Sequence, residues 1–373
     1  MNRPYYLDCA ASTPPDPRVI ECMRLHLTEE FGNPGSRTHV YGEAARRAVE
    51  RARDQIAKVV GTRRGAVIFT SGATEANNLA ILGAAPRHII TTQIEHPSTL
   101  EPILESEARG CRVTRIAPAS TGSIDASDIL SALCPETDLV SVMHVNNETG
   151  AVQPILQIAE ALRAHPQVRL HVDAAQSFGK LWEDLRDPRI DCLTVSAHKI
   201  GGPQGVGALI LPRAKDPGAP PKLRPLLFGG GQESGLRPGT LPSHLIAGFG
   251  LAAELASRER HERTRMAIEW KRLALRAFPH ARLQGAADAS SPFILNLSFP
   301  GLTSEEVIDA WAPIAAVSNG AACSSHRIHC SYVLQAMGIP DSQSAGAVRL
   351  SWYGGQAPPD FDKMAEALHG RIA

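Results

Sequence analysis

The clearest indication of the fold is the segment Cys192-Leu193-Thr194-Val195-Ser196-Ala197-His198-Lys199, which is followed by Gly201-Gly202-Pro203. Its short apolar run ends in polar side chains, a pattern that predicts a buried strand whose last residues reach a pocket. Lys199 falls at the carboxyl end of this strand, where open α/β sheets place their chemistry. A lysine there is either a surface residue with its amine in solvent or a lysine that bonds covalently to a carbonyl group.

A second strand end favours the covalent role. The predicted strand Val168–Val172 is followed by Asp173, which lies 26 residues before Lys199 (199 − 173). An acid and a lysine on neighbouring strand ends suit pyridoxal 5'-phosphate (PLP), because the lysine bonds to its aldehyde and the carboxylate keeps its ring nitrogen protonated. Ser196 and His198 flank this lysine and are within reach of the phosphate. The sequence therefore predicts a PLP site at this edge of the sheet.

Strands alternate with helices along most of the chain. The predicted strands of the first part are Ala66–Thr70, His88–Thr92, Val113–Ile116, Leu139–Val142, Val168–Val172, Leu193–Val195 and Gly207–Leu211. This alternation predicts an α/β fold whose large domain contains a mainly parallel, doubly wound sheet. A long helical region from Ser243 to Phe278 is the predicted connector, with its charged segment Arg258–Arg265 facing solvent. The later strands Ile294–Phe299 and Ala347–Trp352 predict a smaller α+β domain.

The composition is that of a soluble globular protein. The 373 residues are 43% hydrophobic and 20% charged, which allows a large core and two domains. Lys plus Arg equals Asp plus Glu, at 38 each, so the net charge gives no reason to expect direct binding to nucleic acid or to an anionic membrane. The amino terminus lacks the apolar core of a signal peptide, and no run reaches the roughly 18 apolar residues of a membrane span. Seven cysteines without disulfide spacing indicate a reducing compartment, so we expect a cytoplasmic protein.

Other residues extend the predicted site. Ser71-Gly72 stands between a strand and a helix from Thr74, where free amides and the helix dipole favour an anion such as the cofactor phosphate. His96 follows the strand His88–Thr92, and with a planar cofactor in the pocket we expect it to stack on the ring and move protons, although an isolated histidine there is usually structural.

Polar side chains after other strands have predicted roles as well. As a bare motif, Asn146–Gly150 is only a turn. Beside a cofactor, Asn147 is placed to contact its phenolic oxygen or the substrate, and Gln176 is placed to bond the same oxygen. Arg349, at the end of a strand in the small domain, is a candidate clamp for an α-carboxylate, because its planar fork pairs with two oxygens at once.

Cys323 lies between small residues in Ser318–Ser325, which predicts an accessible thiol. His326 and Arg327 would raise its thiolate fraction, and Cys330 is a candidate resolving thiol. The possible metal ligands Cys323, His326, His329 and Cys330 match no standard metal-site spacing, so no metal site is predicted. The remaining cysteines are interpreted as packing residues, namely Cys9, Cys22, Cys111, Cys134 and Cys192.

Taken together, these motifs resemble the cysteine desulfurases of the NifS/IscS class, in the class V aminotransferase family. The matching segments are Phe69–Glu75, His144–Glu148, His171–Gln176, Ser196–Lys199, Arg237–Thr240 and Gly320–Ser325, with Ser331–Leu334 behind them. The resemblance runs from Tyr6 to about Tyr353. It implies a homodimer of fold-type I PLP enzymes, with a large PLP-binding domain over 15–255 and a small domain over 1–14 and 256–373 that carries the cysteine loop.

The resemblance also implies a role for each matching residue. Lys199 would hold PLP, Asp173 its ring nitrogen and Gln176 its phenolic oxygen, with His96 on the ring. Phosphate contacts would come from Thr74, Ser196, His198 and, from the neighbouring subunit, Thr240, and Ala73 would also contact the cofactor. Asn33, Asn147 and Arg349 would meet the L-cysteine substrate. Cys323 would take the substrate sulfur as a persulfide and leave L-alanine.

Two departures bear on the sulfur acceptor. The residues after Cys323, His326 to Cys330, differ from the usual small, acidic and proline-containing sequence of that loop. The sequence also ends soon after the predicted helix Phe361–Leu368, without the longer tail with which iron–sulfur relatives bind their scaffold. With the Gly229–Glu233 and Leu236–Pro242 segments, the resemblance is greatest to desulfurases that serve DNA phosphorothioation (the Dnd and Ssp systems). We therefore expect an acceptor protein of such a system.

Several alternatives stay open at this point. The chain could supply sulfur for iron–sulfur clusters or tRNA thiolation rather than for DNA modification. It could act as a selenocysteine lyase or an aminotransferase on the same scaffold. It could also be a non-catalytic adaptor of a sulfur-transfer complex, although an adaptor has no need of Lys199, Asp173, His96 and Cys323 together.

Overall fold

A computed structural model describes residues 3–213, 223–319, 331–354 and 357–369. The helices are α1 Pro17–Thr28, α2 Val40–Val59, α3 Ala73–Leu82, α4 Pro97–Ala108, α5 Ala126–Ala132, α6 Ile155–Ala161, α7 Ser243–Arg258, α8 Arg260–Ala277, α9 Ser304–Trp311, α10 Tyr332–Ala336, α11 Asp341–Ser344 and α12 Phe361–Glu366. The strands are β1 Tyr5–Tyr6, β2 Val67–Thr70, β3 His88–Thr92, β4 Arg112–Ile116, β5 Thr137–Met143, β6 Arg169–Asp173, β7 Cys192–Ser196, β8 Gly207–Ile210, β9 Arg282–Leu283, β10 Ile294–Ser298, β11 Ala315–Ala316 and β12 Ala347–Ser351.

The largest sheet has the strand order β2-β8-β7-β6-β5-β3-β4. Neighbouring strands from β7 to β4 pair in parallel, whereas β8 runs antiparallel to both β2 and β7. Helices connect most of the parallel strands, as a crossover between parallel strands requires. The predicted α/β fold with a mainly parallel sheet is therefore confirmed.

Helices cover both faces of this sheet, which explains why β6 and β7 are buried along their whole length. On one face Phe69 packs with Val49 of α2 and Phe249 of α7. The neighbouring residue Ile68 points to the other face, where it packs with Leu79 of α3, because successive side chains of a strand alternate. Double coverage leaves the carboxyl ends of the parallel strands as the open edge of the sheet.

A second core lies around the antiparallel sheet β12-β10-β9. Its large side chains come mostly from residues 267–368, with Leu7 added from the amino-terminal segment. Phe278, Phe299 and Trp311 form a cluster of aromatic rings with centroids 5.3 to 5.6 Å apart. This arrangement agrees with a smaller α+β unit, while the predicted domain limits stay a prediction.

The helical region predicted from Ser243 to Phe278 consists of two helices rather than one, because the chain leaves helical geometry at Glu259 (φ −98°, ψ 6°). The two halves follow different cores: α7 packs Phe249 into the first, and α8 packs Trp270 into the second. The Glu259 carboxylate at the break pairs with Arg18 at 2.6 Å and with Arg263 at 2.7 Å. The charged segment is thus partly an ion-pair cluster rather than the solvated face that its composition predicts.

Lys180 is a buried amine between the two cores. Its Nζ lies 5.8 Å from the ring centroid of Phe293 and 5.5 Å from that of Tyr353. Burial lowers the pKa of Lys180 to about 7; Lys199 and Arg263 act in the same direction and Cys9 opposes them. The folded state therefore favours the neutral amine over the ammonium.

Lys180→Met is expected to stabilise the protein at acidic pH. In the folded protein the pKa of Lys180 lies below its unfolded value of 10.5. The stability that the neutral Lys180 amine contributes is therefore complete above pH 10.5 and is lost as the pH falls through about 7, where the buried amine becomes protonated. We expect the melting temperature of the variant to exceed that of the wild type by about 2–4 °C at pH 6, with a smaller difference at pH 9. Thermal unfolding at both pH values measures this, and a difference independent of pH would contradict it.

Candidate active site

A cavity of about 560 Å³ lies at the edge where the parallel strands end. Among its lining residues are the predicted site residues Ala73, Thr74, His96, Asn147, Asp173, Gln176, Ser196, His198, Lys199 and Arg349. Asn33 and Thr240 do not line the cavity of their own chain, and Cys323 lies outside the described residues. A second cavity of about 620 Å³, beside α8, contains none of the predicted site residues.

Lys199 enters the cavity from the short 3-10 turn that follows β7. Its Nζ donates hydrogen bonds to the carbonyl oxygens of Ala10 at 2.6 Å and Ala11 at 2.8 Å. Gly202 lies so close to this turn that a Cβ atom would stand 2.8 Å from the carbonyl oxygen of Ala197. Close backbone approach therefore requires a glycine at this position, three residues after Lys199.

Asp173 ends β6 and faces the same cavity. One carboxylate oxygen accepts a hydrogen bond from Asn77 Nδ2 at 2.8 Å, and the other accepts one from the Ala175 amide at 2.9 Å. Thr99 Oγ1 lies 3.5 Å from Asp173 Oδ2. The sequence interpretation missed Asn77, although Asn77 follows Thr74 by three positions on one helix and therefore shares its face.

Asp173→Asn is expected to lower turnover by about 10²-fold or more while the cofactor still binds. The substitution keeps the side-chain shape but removes the charge that is predicted to hold a ring nitrogen protonated. Steady-state rates and the visible absorbance of the purified enzyme measure the two effects separately. Thr99→Val is the matched control, because it removes only the 3.5 Å contact and should retain most of the activity. Near wild-type turnover in Asp173→Asn would contradict the role.

His96 caps the amino terminus of α4 with its ring. Nδ1 accepts a hydrogen bond from the Ser98 amide at 3.1 Å and lies 2.8 Å from Ser98 Oγ. Because Nδ1 is an acceptor, we assign the proton of the neutral ring to Nε2. Burial lowers the pKa of His96, with Lys199 and Arg349 acting in the same direction and Asp173 opposing them. His96 is thus a neutral imidazole suited to proton transfer at Nε2.

Several buried polar atoms at the cavity have no hydrogen-bond partner among the described residues. They are Ser196 Oγ, Gln176 Oε1, Asn147 Oδ1 and Arg349 Nε. Gly72 caps α3 without a side-chain hydrogen bond, so the first amides of this helix face the cavity uncapped. Unsatisfied buried groups of this kind indicate a polar ligand. An anion at the Ser71–Thr74 turn and a polar ring between Lys199 and Asp173 would satisfy them, so these residues fit PLP.

Arg349 lies in β12 and is almost fully buried. Nη2 contacts Asp8 Oδ1 at 2.6 Å, and Nη1 donates to the carbonyl oxygen of Asn147 at 2.9 Å. The predicted clamp for two carboxylate oxygens therefore has both terminal nitrogens bonded to protein groups, whereas its Nε has no hydrogen-bond partner among the described residues. Asp8 was missed by the sequence interpretation, because nothing local marks an aspartate 341 residues away as the partner of Arg349.

The two ends of the segment that contains Cys323 are attached close to this cavity. On one side, the backbones of Ser318 and Arg349 exchange two hydrogen bonds. On the other side, Ser331 Oγ donates to the buried carboxylate of Glu148, the neighbour of Asn147. Burial raises the pKa of Glu148 to about 7. Ser318 is thus bonded to Arg349, which lines the cavity, and Ser331 is bonded to the chain neighbour of Asn147, which also lines it.

Comparison with known proteins identifies the family. The family model described as aminotransferase class-V matches residues 5–358. The chain belongs to the class-V aminotransferase family. Members of this family are fold-type I enzymes that use PLP. The fold type and the cofactor predicted from the sequence are therefore confirmed. No helix in the described ranges combines the length and apolar character needed to cross a bilayer.

Within the class-V aminotransferases, the chain groups with the NifS/IscS-class cysteine desulfurases. The cysteine desulfurase IscS of Klebsiella pneumoniae is 43% identical over 364 residues, covering 94% of this chain and 88% of that protein. A solved NifS-like protein superposes with a TM-score of 0.89 at 31% identity over 97% of both chains. DndA from Streptomyces lividans superposes with a TM-score of 0.81 at 41% identity, over 94% of this chain and all of DndA.

Proposed function

We propose that this enzyme takes sulfur from L-cysteine, leaves L-alanine and stores the sulfur as a persulfide on Cys323. The observation that carries the proposal is the convergence of Lys199, Asp173 and His96 on one cavity that Arg349 also lines. The names of its relatives as cysteine desulfurases support the same activity. The substrate sulfur bonds to the Cys323 sulfur as its own bond to carbon breaks, and that carbon then takes a proton.

The residues of the cavity have distinct tasks in this reaction. When bound, PLP supplies an aldehyde that bonds to the amine and a ring that withdraws electrons from the substrate carbons. Lys199 holds the cofactor and moves a proton at Nζ, while Asp173 holds the ring nitrogen and His96 moves a proton at Nε2. Arg349 Nε binds the substrate carboxylate, and Asn147 Oδ1 accepts a hydrogen bond from the substrate or cofactor.

Chain length supports the assignment of Cys323. Cys323 follows Ser318 by five positions (323 − 318), so its backbone lies within about 17 Å of that residue. Ser318 is hydrogen bonded to Arg349, which lines the cavity. A tether of this length allows the thiol to meet a substrate whose carboxylate binds Arg349.

Product analysis tests the reaction. With L-cysteine, the proposal expects equimolar L-alanine and persulfide, and a mass spectrum that places the additional sulfur on the peptide containing Cys323. An aminotransferase would yield a keto acid product instead of L-alanine, and a selenocysteine lyase would act on selenocysteine in preference to cysteine. A non-catalytic adaptor would bind partners without turnover. Any of these three results would overturn the proposal.

We also propose that the active enzyme is a homodimer in which Thr240 contacts the cofactor phosphate of the partner subunit. Thr240 is exposed and absent from the cavity of its own chain. Large apolar side chains are exposed at Phe31 and Phe228, by 65% and 88% respectively, and a subunit interface would cover such groups. Sedimentation velocity at micromolar concentration should give the mass of two chains, and a monomer would contradict this proposal.

For the sulfur acceptor we propose a protein of DNA phosphorothioate modification, within a cytoplasm whose reducing state keeps Cys323 a free thiol. The likeness to DndA over its full length supports this choice. The likeness to IscS favours an iron–sulfur scaffold or tRNA-thiolation protein as the second candidate. Isotopically labelled cysteine, incubated with the enzyme and both kinds of acceptor, tests the choice. Label on the scaffold protein alone would reject the DNA-modification acceptor.

A further inference from the structure

The turn Ser71-Gly72 before α3 is held by a carboxylate. Glu75 Oε2 accepts a hydrogen bond from the Ser71 amide at 2.7 Å. Ser71, Gly72 and Thr74 all line the cavity, so this carboxylate fixes the backbone to which an anionic group of the ligand would bind. A negative charge beside an anion site is unfavourable unless another group neutralises it.

Arg237 provides that neutralisation. Its Nε donates to Glu75 Oε1 at 2.9 Å, and its Nη2 lies 3.5 Å from Oε2. The two side chains are 22% and 20% exposed, so solvent screens them only in part. Burial alone would raise the pKa of Glu75, but the hydrogen bonds from Arg237 and Ser71 outweigh burial and lower it. Glu75 is therefore a carboxylate in this structure, paired with Arg237.

A second carboxylate near the same turn has an arginine of its own. Glu233 accepts a hydrogen bond from the Phe69 amide at 2.6 Å and pairs with Arg53, whose Nη1 lies 2.8 Å from Glu233 Oε2. Residues 69 and 71 are thus both held by carboxylates, one from α3 and one from the 228–240 loop, and each carboxylate has an arginine partner. Such pairing shapes the backbone around an anion site without leaving net negative charge beside it.

We propose that Arg237 is a positioning residue that permits phosphate binding at the Ser71–Thr74 turn by neutralising Glu75. This inference rests on the proposed PLP-dependent function only for the identity of the anion. It separates two roles: Glu75 holds the turn, and Arg237 removes the electrostatic cost of having a carboxylate there. Arg237 is thereby assigned an effect that acts through Glu75 rather than through contact with the ligand.

A double-mutant cycle on equilibrium PLP binding to the apo-enzyme tests this inference. Arg237→Gln leaves Glu75 unpaired and is expected to raise the dissociation constant of PLP at least tenfold. Glu75→Gln is expected to change it less than threefold, because the amide still accepts from Ser71. The variant with both substitutions should bind PLP within threefold of Glu75→Gln. If it binds as weakly as Arg237→Gln alone, Arg237 does not act through Glu75 and the inference is overturned.

Controls separate this inference from folding effects and from the proposed function. Arg109→Gln breaks a comparable Arg–Glu pair, with Nε 2.7 Å from Glu105 Oε1, far from the cavity lining, and should leave the dissociation constant unchanged. Where Arg237→Gln does not fold, Arg237→Lys keeps the charge and should bind PLP within threefold of the wild type, and a tenfold loss there would overturn the inference. Competition by inorganic phosphate should weaken in Arg237→Gln alongside PLP. If the wild type binds no PLP, the proposed function fails instead.

Discussion

Lys199→Ala is expected to lower L-alanine formation from L-cysteine by about a thousandfold or more. On the proposed mechanism, the substitution removes both the amine that would bond to the cofactor and the group that would move a proton at the substrate carbon. It also leaves the carbonyl oxygens of Ala10 and Ala11 without the donor that binds them at 2.6 and 2.8 Å. Because the cofactor then has no covalent bond to the protein, the purified variant should lose its visible absorbance on dialysis, while the wild type keeps it.

The matched control for this loss is Lys199→Arg. Arginine keeps a positive charge near the same carbonyl oxygens but forms no stable bond with an aldehyde. We expect it to fold with a melting temperature close to that of the wild type and to be as inactive as Lys199→Ala. An active Lys199→Arg variant, or absorbance that survives dialysis in Lys199→Ala, would contradict the covalent role.

Cys323→Ala is expected to abolish persulfide formation while leaving PLP bound. Without an accepting thiol the substrate sulfur has no nucleophile to attack it, so alanine formation should fall by about a thousandfold. Buried thiols elsewhere are poor substitutes: burial raises the pKa of Cys9 to about 12 and that of Cys192 to about 11. Sulfane sulfur bound to the protein after incubation with labelled cysteine measures the loss directly.

Two further cysteine variants sharpen this test. Cys9→Ala should retain full persulfide labelling, because Cys9 is a buried thiol packed in the first core. Cys330→Ala reports whether a second thiol takes part: normal labelling with slowed release of sulfur would support its predicted resolving role. Undiminished alanine formation by Cys323→Ala would reject the role given to Cys323.

The large sheet was predictable because its signals are local. Short apolar runs that alternate with helical stretches allow few arrangements other than parallel strands joined by crossover helices. Once the strands are parallel, their carboxyl ends meet at one edge, and this brings Thr74, His96, Asp173 and Lys199 to one cavity without further information. The same argument explains why residues 26 positions apart in the sequence work together.

The break at Glu259 was not predictable from composition. Helical periodicity continues through Arg258–Arg265, and the interruption follows from the packing of α7 and α8 on different cores. The residues that hold the site's side chains in place were also not predictable from local sequence. Asn77 reaches Asp173 only because α3 packs beside β6. Asp8 reaches Arg349 only because the amino-terminal segment lies beside β12.

Three features follow from local sequence alone: the parallel direction of most strands in the large sheet, the pairing of an amine with a carboxylate at the carboxyl ends of those strands, and the cofactor that such a pair accepts. These features depend on side-chain periodicity and on the residue at each strand end, and both are properties of short stretches of sequence. The groups that orient the site are set by the packing of distant segments, namely Asn77 on Asp173, Asp8 on Arg349 and Arg237 on Glu75. Those contacts join distant segments, and their partners are chosen by packing and charge rather than by position in the chain.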